Sequence, residues 1–557
     1  MRECKNCQAK FEVTSRDAAF YEQIKVPPPT FCRDCRRTRK ISWVNRRTLY
    51  RSTCALCKEG MVSMYPPDTP YTVHCRKCWY SDKWDAIDFA RDYDFAKPFF
   101  EQFGDLLKVV PRIGIVHYGE VVGCTASNTM VGSNNMYMCF SALESEDCAY
   151  SHGIDFSKNS LDCLDVKDLE LCYENIEGAK NYRCLWTLKT RDSINSAFLY
   201  DCQNCQDCFM SSNLRNRQFV FRNKQLDKAG YDAAIREIKT ESANVVGELK
   251  SEFGQLIVNS LHKYADINRS SNSTGDKIDA SSDIVDSFNI FESEHLVYCD
   301  RLARSTKDAY DVFGGFSAEL IYEGAGGTGL NNVKFYSFAA QARDTEYTDW
   351  CHDVSKLFGC VSLRNKSYCI LNKQYSKEEY EILRAKIVEQ MTKVGDYGEF
   401  FPKETSPFAY NESVAQEYNP LNKEEVLALG FRWREPETKD YTPTVQSNAL
   451  PDPLSDVKDE ITKETIACAH VGSCNHSCTT AFRIIQSELS FYRDLKIPLP
   501  RLCPNCRHAE RLTYRNPFRL WHRACMKPGC NNEFETPYAP ERPETVYCES
   551  CYQEAVI

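Results

Sequence analysis

The sequence predicts a mainly β fold: a central, duplicated right-handed parallel β-solenoid with helical caps, flanked at both ends by tandem cysteine-quartet modules. Three observations predict it. Cysteine pairs gather at the two termini with matching gaps, short cysteine- and aromatic-bearing segments recur through the middle, and both halves of the middle end on one motif.

A chain of 557 residues is too long for one core and divides into several domains. The expected pieces are tandem ribbons over 1–79, a linker and amphipathic helix over 80–112, and a first solenoid array over 113–227. A helical segment follows over 228–268, then a second array over 269–375 and a helical cap over 376–434. An acidic linker over 435–465 leads to a second tandem ribbon module over 466–557. The formal charge of −9 argues against a protein that coats nucleic acid along its whole length, although a local basic patch is compatible with it. The start, "MRECKNCQAK", carries no apolar signal core, and no run approaches the roughly 18 apolar residues of a membrane span. The expectation is a cytoplasmic protein with no membrane partner, whose 30 cysteines serve as metal ligands or small buried side chains rather than disulfides.

The N-terminal pairs are Cys4/Cys7, Cys32/Cys35, Cys54/Cys57 and Cys75/Cys78, separated by 24, 18 and 17 residues. The C-terminal pairs, Cys474/Cys478, Cys503/Cys506, Cys525/Cys530 and Cys548/Cys551, repeat those gaps of 24, 18 and 17. Two thiolate pairs brought together supply the tetrahedral sulfur shell that Zn²⁺ favours, so about four Zn²⁺ per chain are expected. The intervening residues repeat as well: "FYEQIKVPPPTFCRDC" (20–35) answers "FYRDLKIPLPRLCPNC" (491–506), and "YPPDTPYTVHCRKC" (65–78) answers "YAPERPETVYCESC" (538–551). The termini are two copies of one module.

The stretch "CKNCQAKFEV…FYEQIKVPPPTFCRDCRRTRK" (4–40) resembles the "probable zinc-ribbon" family in its cysteine pairs, Phe11, Phe20, Tyr21, Pro29 and Arg36. The resemblance implies that Cys4, Cys7, Cys32 and Cys35 hold one ion. Residues 474–507 are similar, with Phe482, Phe491, Tyr492, Pro500 and Arg507, but depart from the pattern at Cys474-x3-Cys478. Cys468, His470 and His476 lie close enough to take the place of Cys474. The whole chain also resembles multi-zinc-ribbon, cysteine-repeat proteins of small-genomed bacteria, which implies an architecture and no activity.

Between the modules, "YMCF" (137–140), "EDCAY" (146–150), "LDCL" (161–164), "ELCY" (170–173), "YRCLW" (182–186) and "QDCFM" (206–210) set a loose rhythm. Cys139, Cys163, Cys184 and Cys208 are spaced by 24, 21 and 24 residues. A coil in the low twenties, with small cysteines stacked inward, is the expectation. A second run spans "LVYCD" (296–300) to "LFGCVS" (357–362). The endings "LRNRQFVFRNKQL" (214–226) and "LRNKSYCILNKQY" (363–375) match, and each leads into a helical pattern suited to covering a sheet end. "GAGGTG" (324–329) fits a dinucleotide-binding pattern in letters only, because β-like "VKFYSF" follows where a helix is required. The triplet Cys202, Cys205 and Cys208 lacks the fourth cysteine and proline of an iron–sulfur run. His117, His152, His295 and His352 read as packing or turn residues.

Between its cysteines each module carries a basic segment. The first has Arg36, Arg37, Arg39, Lys40, Arg46, Arg47 and Arg51 with Trp43 and Tyr50; the second has Arg507, Arg511, Arg515, Arg519 and Arg523 with Tyr514 and Trp521. Guanidinium groups with interleaved aromatics suit RNA or another unpaired strand, while solvated arginines on a strand edge would look the same. The sequence therefore predicts a zinc-binding scaffold contacting RNA or a ribonucleoprotein. The rival readings are a protein-interaction platform using the solenoid face and an enzyme with a site in a solenoid groove. No small-molecule substrate is legible.

Overall fold

The backbone of the first array bends at every third residue. From Asn135 to Asn216 each third position has a positive φ near +50°, glycine occurring among them only at Gly153. Asn and Asp visit this region most readily, which accounts for Asn135, Asp147, Asn159, Asp162 and Asp192 at these bends. Each bend returns its N–H to the preceding turn of chain, as in Asp147 N to Asn134 O at 3.2 Å. The backbone polar groups are thereby paired despite the tight turns.

The computed structural model describes residues 1–303, 305–315, 318–319, 321–435 and 441–556. Within them the protein is mainly β, with two 11-stranded sheets and a small number of helices. The first sheet runs in chain order from His117–Tyr118 to Lys224–Gln225 and is parallel except for its last pair. Its register advances from Phe140 to His152 to Leu164. Bridges at Asn134↔Glu146 and Tyr137↔Ala149 repeat the same advance on other flanks.

This register corrects the expected rhythm: the pairing repeats every 12 residues, not every twenty-odd. The cysteine spacing of 24 is two such steps along one flank, and 21 is a change of flank. Cysteines occupy only some inward positions, on more than one flank, so their spacing is not the step itself. The residue after each bend points inward, and Cys139, Cys148, Cys163, Cys172 and Cys184 are each no more than 1% exposed. Inward serines bind backbone on both sides. Ser151 Oγ donates to Ala149 O and accepts from Cys163 N, each at 3.0 Å. A column this narrow admits thiols, hydroxyls and short aliphatics.

The second sheet, from Ile267–Asn268 to Lys373–Gln374, is also parallel until its last pair. It is less regular, with a 13-residue step from Glu294 to Lys307 inside it, whereas the parallel pairs of the first sheet depart from 12 only at the first, His117↔Met130. "GAGGTG" lies in it: Gly324 sits on the strand Tyr322–Ala325, where a Cβ would come within 2.0 Å of the Tyr336 ring. The glycine makes room for an aromatic side chain. Leu320 and residues 436–440, parts of the expected second array and acidic linker, lie outside the described residues.

The two halves exchange parts. The helix Phe99–Val109 precedes the first array but packs on the second, with Phe99 against Tyr347 and Phe358 at 5.1 and 5.2 Å. The helix Ala243–Asn259 precedes the second array and packs on the first through Phe253 on Phe198, at 5.7 Å. Each module also lends a strand: Val73–His74 pairs with Arg112–Ile113, and Thr545–Tyr547 with Leu261–Lys263. No helix among the described residues is long and apolar enough to cross a membrane.

The narrow column makes a specific prediction. Cys163→Ser, which recreates the inward serines already present, should cost under about 1 kcal/mol in denaturant unfolding, whereas Cys163→Phe should cost about 3 kcal/mol by overpacking. Equal stability of the two variants would contradict the inward placement.

Candidate metal centres

Among the described residues, four cysteine tetrads have ligand atoms within 4.8 Å of one another. They are Cys4/Cys7/Cys32/Cys35, Cys54/Cys57/Cys75/Cys78, Cys468/Cys478/Cys503/Cys506 and Cys525/Cys530/Cys548/Cys551. Each can hold a metal ion. The pairing is sequential, so the gap between Cys35 and Cys54 joins two centres rather than lying inside one.

One hydrogen bond recurs in all four. The backbone N–H of the third cysteine donates to Sγ of the first: Cys32 to Cys4 and Cys75 to Cys54 at 3.2 Å, Cys503 to Cys468 and Cys548 to Cys525 at 3.3 Å. Such donors favour thiolate over thiol. Burial opposes the Cys54 thiolate, but backbone N–H groups including that of Cys75 outweigh it and draw the group down to about 6. Cys32 falls to about 5, chiefly through its contact with Cys35. In the first and third tetrads the third cysteine begins a long helix: Cys32 precedes Arg33–Ile41 and Cys503 precedes Pro504–Leu512.

The same bond settles which residue heads the third tetrad. Cys468, not Cys474, receives the Cys503 N–H and stands where Cys4 stands in the first module. The expected ligand Cys474 lies instead in a second group with His470, His476 and the shared Cys506. Of the three alternatives to Cys474 that the sequence offers, Cys468 is the one grouped with Cys478, and residues 469–477 lie between them as a longer loop than Lys5–Asn6.

Most of the basic residues are not on strand edges; only Arg51, on Tyr50–Thr53, and Arg523, on Trp521–Ala524, lie on two-stranded sheets. Arg36, Arg37, Arg39 and Lys40 belong to the helix Arg33–Ile41 and are buried against the second array. Asp311 takes Arg36 on one carboxylate oxygen and Lys40 on the other, the latter at 2.6 Å. Arg37 meets Asp300 at 2.8 Å, and Arg39 meets Glu323 and Glu399 at 2.7 and 3.0 Å. In the second module Arg507 and Arg511 close on the two oxygens of Asp162 in the first array, both at 2.6 Å. Asp162 lies as far before the repeated "LRN" as Asp311 does, so the two joints are equivalent and crossed. Burial opposes ionisation of Asp311, but Arg36 and Lys40 overcome it and hold the carboxyl well below its usual range.

The remaining cations are placed less uniformly. Arg46 lies over Phe313 at 5.2 Å and Arg47 over Phe140 at 4.5 Å, and burial draws each guanidinium down to about 10. Arg515 stacks on Tyr418 at 4.0 Å, and Arg523 reaches Ala539 O at 3.3 Å. Arg51 and Arg519 are exposed.

Cys202, Cys205 and Cys208 point inward like the other array cysteines, and each thiol donates to the carbonyl two residues before it, at 3.4 Å. His117 bonds Ser127 O at 3.0 Å, His152 stacks on His508 at 5.4 Å, and exposed His295 pairs with Asp308 at 3.1 Å. His352 lines a cleft of about 780 Å³ beside the second ribbon. That cleft sets Arg76, Arg364 and Lys366 against Asp82, Asp85 and Asp353, a balance that does not favour a polyanion.

Removing one partner of a buried ion pair leaves a charge stranded at a cost of about 3–5 kcal/mol. Asp311→Asn and Asp162→Asn should each lower thermal stability markedly, while Asp34→Asn, on the exposed side of the same helix, should change it by less than about 0.5 kcal/mol. Comparable melting of all three proteins would contradict the crossed joints.

No family model, no curated protein and no solved structure matches this chain, so its likeness to zinc-ribbon proteins rests on the cysteine clusters themselves.

Proposed function

We propose that this protein is a zinc-stapled scaffold: two parallel β-solenoids of 12-residue coils, held side by side by tandem zinc ribbons that each grip the array of the opposite half. The observation that carries the reading is the repeated joint, in which a helix begun by a metal-ligating cysteine closes two cations on one buried aspartate. The solenoid reading draws support from the constant advance of the register on several flanks. Zinc is the ion that all-thiolate, four-coordinate donor sets suit best. A closed shell of four protein ligands leaves no position for a substrate, which favours a structural role for these ions.

The buried helix cations support docking within the chain and give no support to RNA contact at Arg36, Arg37, Arg39, Lys40, Arg507 or Arg511. A protein partner on the open flank of the first array is the better-supported reading. There Tyr182 and Ile194 are bridged neighbours and 38% and 41% exposed. RNA retention that is lost in Arg51→Glu/Arg519→Glu would restore the nucleic-acid reading.

Metal removal tests the stapling. Chelation of the full-length protein should open residues 1–79 and 466–557 to limited proteolysis while the arrays keep their far-UV β signal. Unchanged cleavage after complete metal loss would sink the scaffold reading.

A further inference from the structure

The two modules differ at one place that the scaffold does not need. In the first, Cys4 and Cys7 are joined by Lys5 and Asn6; in the last, Cys468 and Cys478 are joined by "AHVGSCNHS". That insertion carries three further ligands, and the fold brings all three to Cys506. Nδ1/Nε2 or Sγ atoms of His470, Cys474, His476 and Cys506 lie within 4.8 Å of one another. Cys474 Sγ is 3.6 Å from Cys506 Sγ, which in turn is 3.9 Å from Cys468 Sγ. The rings of His470 and His476 stand 5.6 Å apart. Nδ1 of His470 is buried and has no hydrogen-bond partner in the protein.

From this geometry we propose that the first half of the C-terminal module binds two metal ions, with the Cys506 thiolate bridging them. One ion takes Cys468, Cys478, Cys503 and Cys506. The second takes His470 and His476 nitrogens, Cys474 sulfur and the shared Cys506 sulfur, a tetrahedral two-nitrogen, two-sulfur set suited to Zn²⁺. A thiolate has lone pairs enough for two ions. Sharing it also lowers the charge of the site: one dication in four thiolates carries a net −2, whereas two dications among five thiolates carry −1. The insertion is fixed against the ligand helix, since Asn505 Nδ2 donates to Ser477 O at 2.9 Å. The second ion completes the ordering of that loop and occupies the buried nitrogen. In the first module the equivalent loop between Cys4 and Cys7 offers no ligand, so the corresponding half of that module has only the Cys4/Cys7/Cys32/Cys35 site.

Metal counting on the purified, zinc-loaded full-length chain tests the proposal. About five Zn²⁺ per chain are expected, falling by one in His470→Ala/His476→Ala, whose tetrads stay intact. Cys506→Ser should lose two ions, against one for Cys35→Ser at the corresponding position of the first module. Should Cys506→Ser fail to fold, the histidine variant and Co²⁺ substitution still decide. The wild type should then show mixed nitrogen–sulfur d–d absorption beside the all-sulfur bands, and the histidine variant should lose it. Four ions in the wild type, or a count and spectrum unmoved by His470→Ala/His476→Ala, would overturn the bridged pair. Either outcome leaves the other three tetrads, and the scaffold reading built on them, separately countable.

Discussion

Two buried aspartates, Asp162 and Asp311, organise this molecule. Each sits at a bend of an array and faces a helix that begins at a cysteine of a tetrad, and each closes on two cations one helical turn apart. A carboxylate in such a place is tolerable only when paired on both oxygens, because an isolated buried charge is strongly disfavoured. The cations are subject to the same constraint. Tetrad, helix and array therefore depend on one another: the third cysteine of the tetrad begins the helix, and that start sets which side chains reach the aspartate.

The crossing of the joints follows from duplication. Each half has a module, a helix and an array, yet the first module grips the second array and the last module grips the first. The helices Phe99–Val109 and Ala243–Asn259 cross in the same sense. Direct pairs such as Arg301 with Asp165 at 2.8 Å and Arg191 with Asp266 at 3.0 Å join the arrays themselves. A narrow parallel array exposes both ends and much of its flank, so reciprocal covering protects edges that neither half protects alone.

What the sequence revealed and concealed divides along physical lines. The cysteine tetrads were legible because ligands come in local pairs at module-wide spacing, and the duplication was legible because "LRN" and the ribbon segments repeat in letters. The 12-residue step was not, since inward serines, alanines and valines share its positions with cysteine and only Cys172 and Cys184 are adjacent cysteines one step apart on a flank of the first array. The basic helices were misread because their partners are remote: Arg36 meets an acid 275 residues away and Arg507 one 345 away. Alternating arginines and aromatics describe a solvated surface and a buried joint equally well until the acids are located. Cys468 stood only as one of three residues able to replace Cys474, because a loop separates it from Cys478, and the hydrogen bond from Cys503 is what aligns it with Cys4.

The central claim, that metal binding positions the two ligand helices on the arrays, is tested most directly by hydrogen exchange with and without chelator. The account predicts that metal loss raises exchange in Arg33–Ile41 and Pro504–Leu512 and in the array segments around Asp311 and Asp162, while the inward ladders elsewhere stay protected. Unchanged protection of both helices in fully metal-free protein would contradict it.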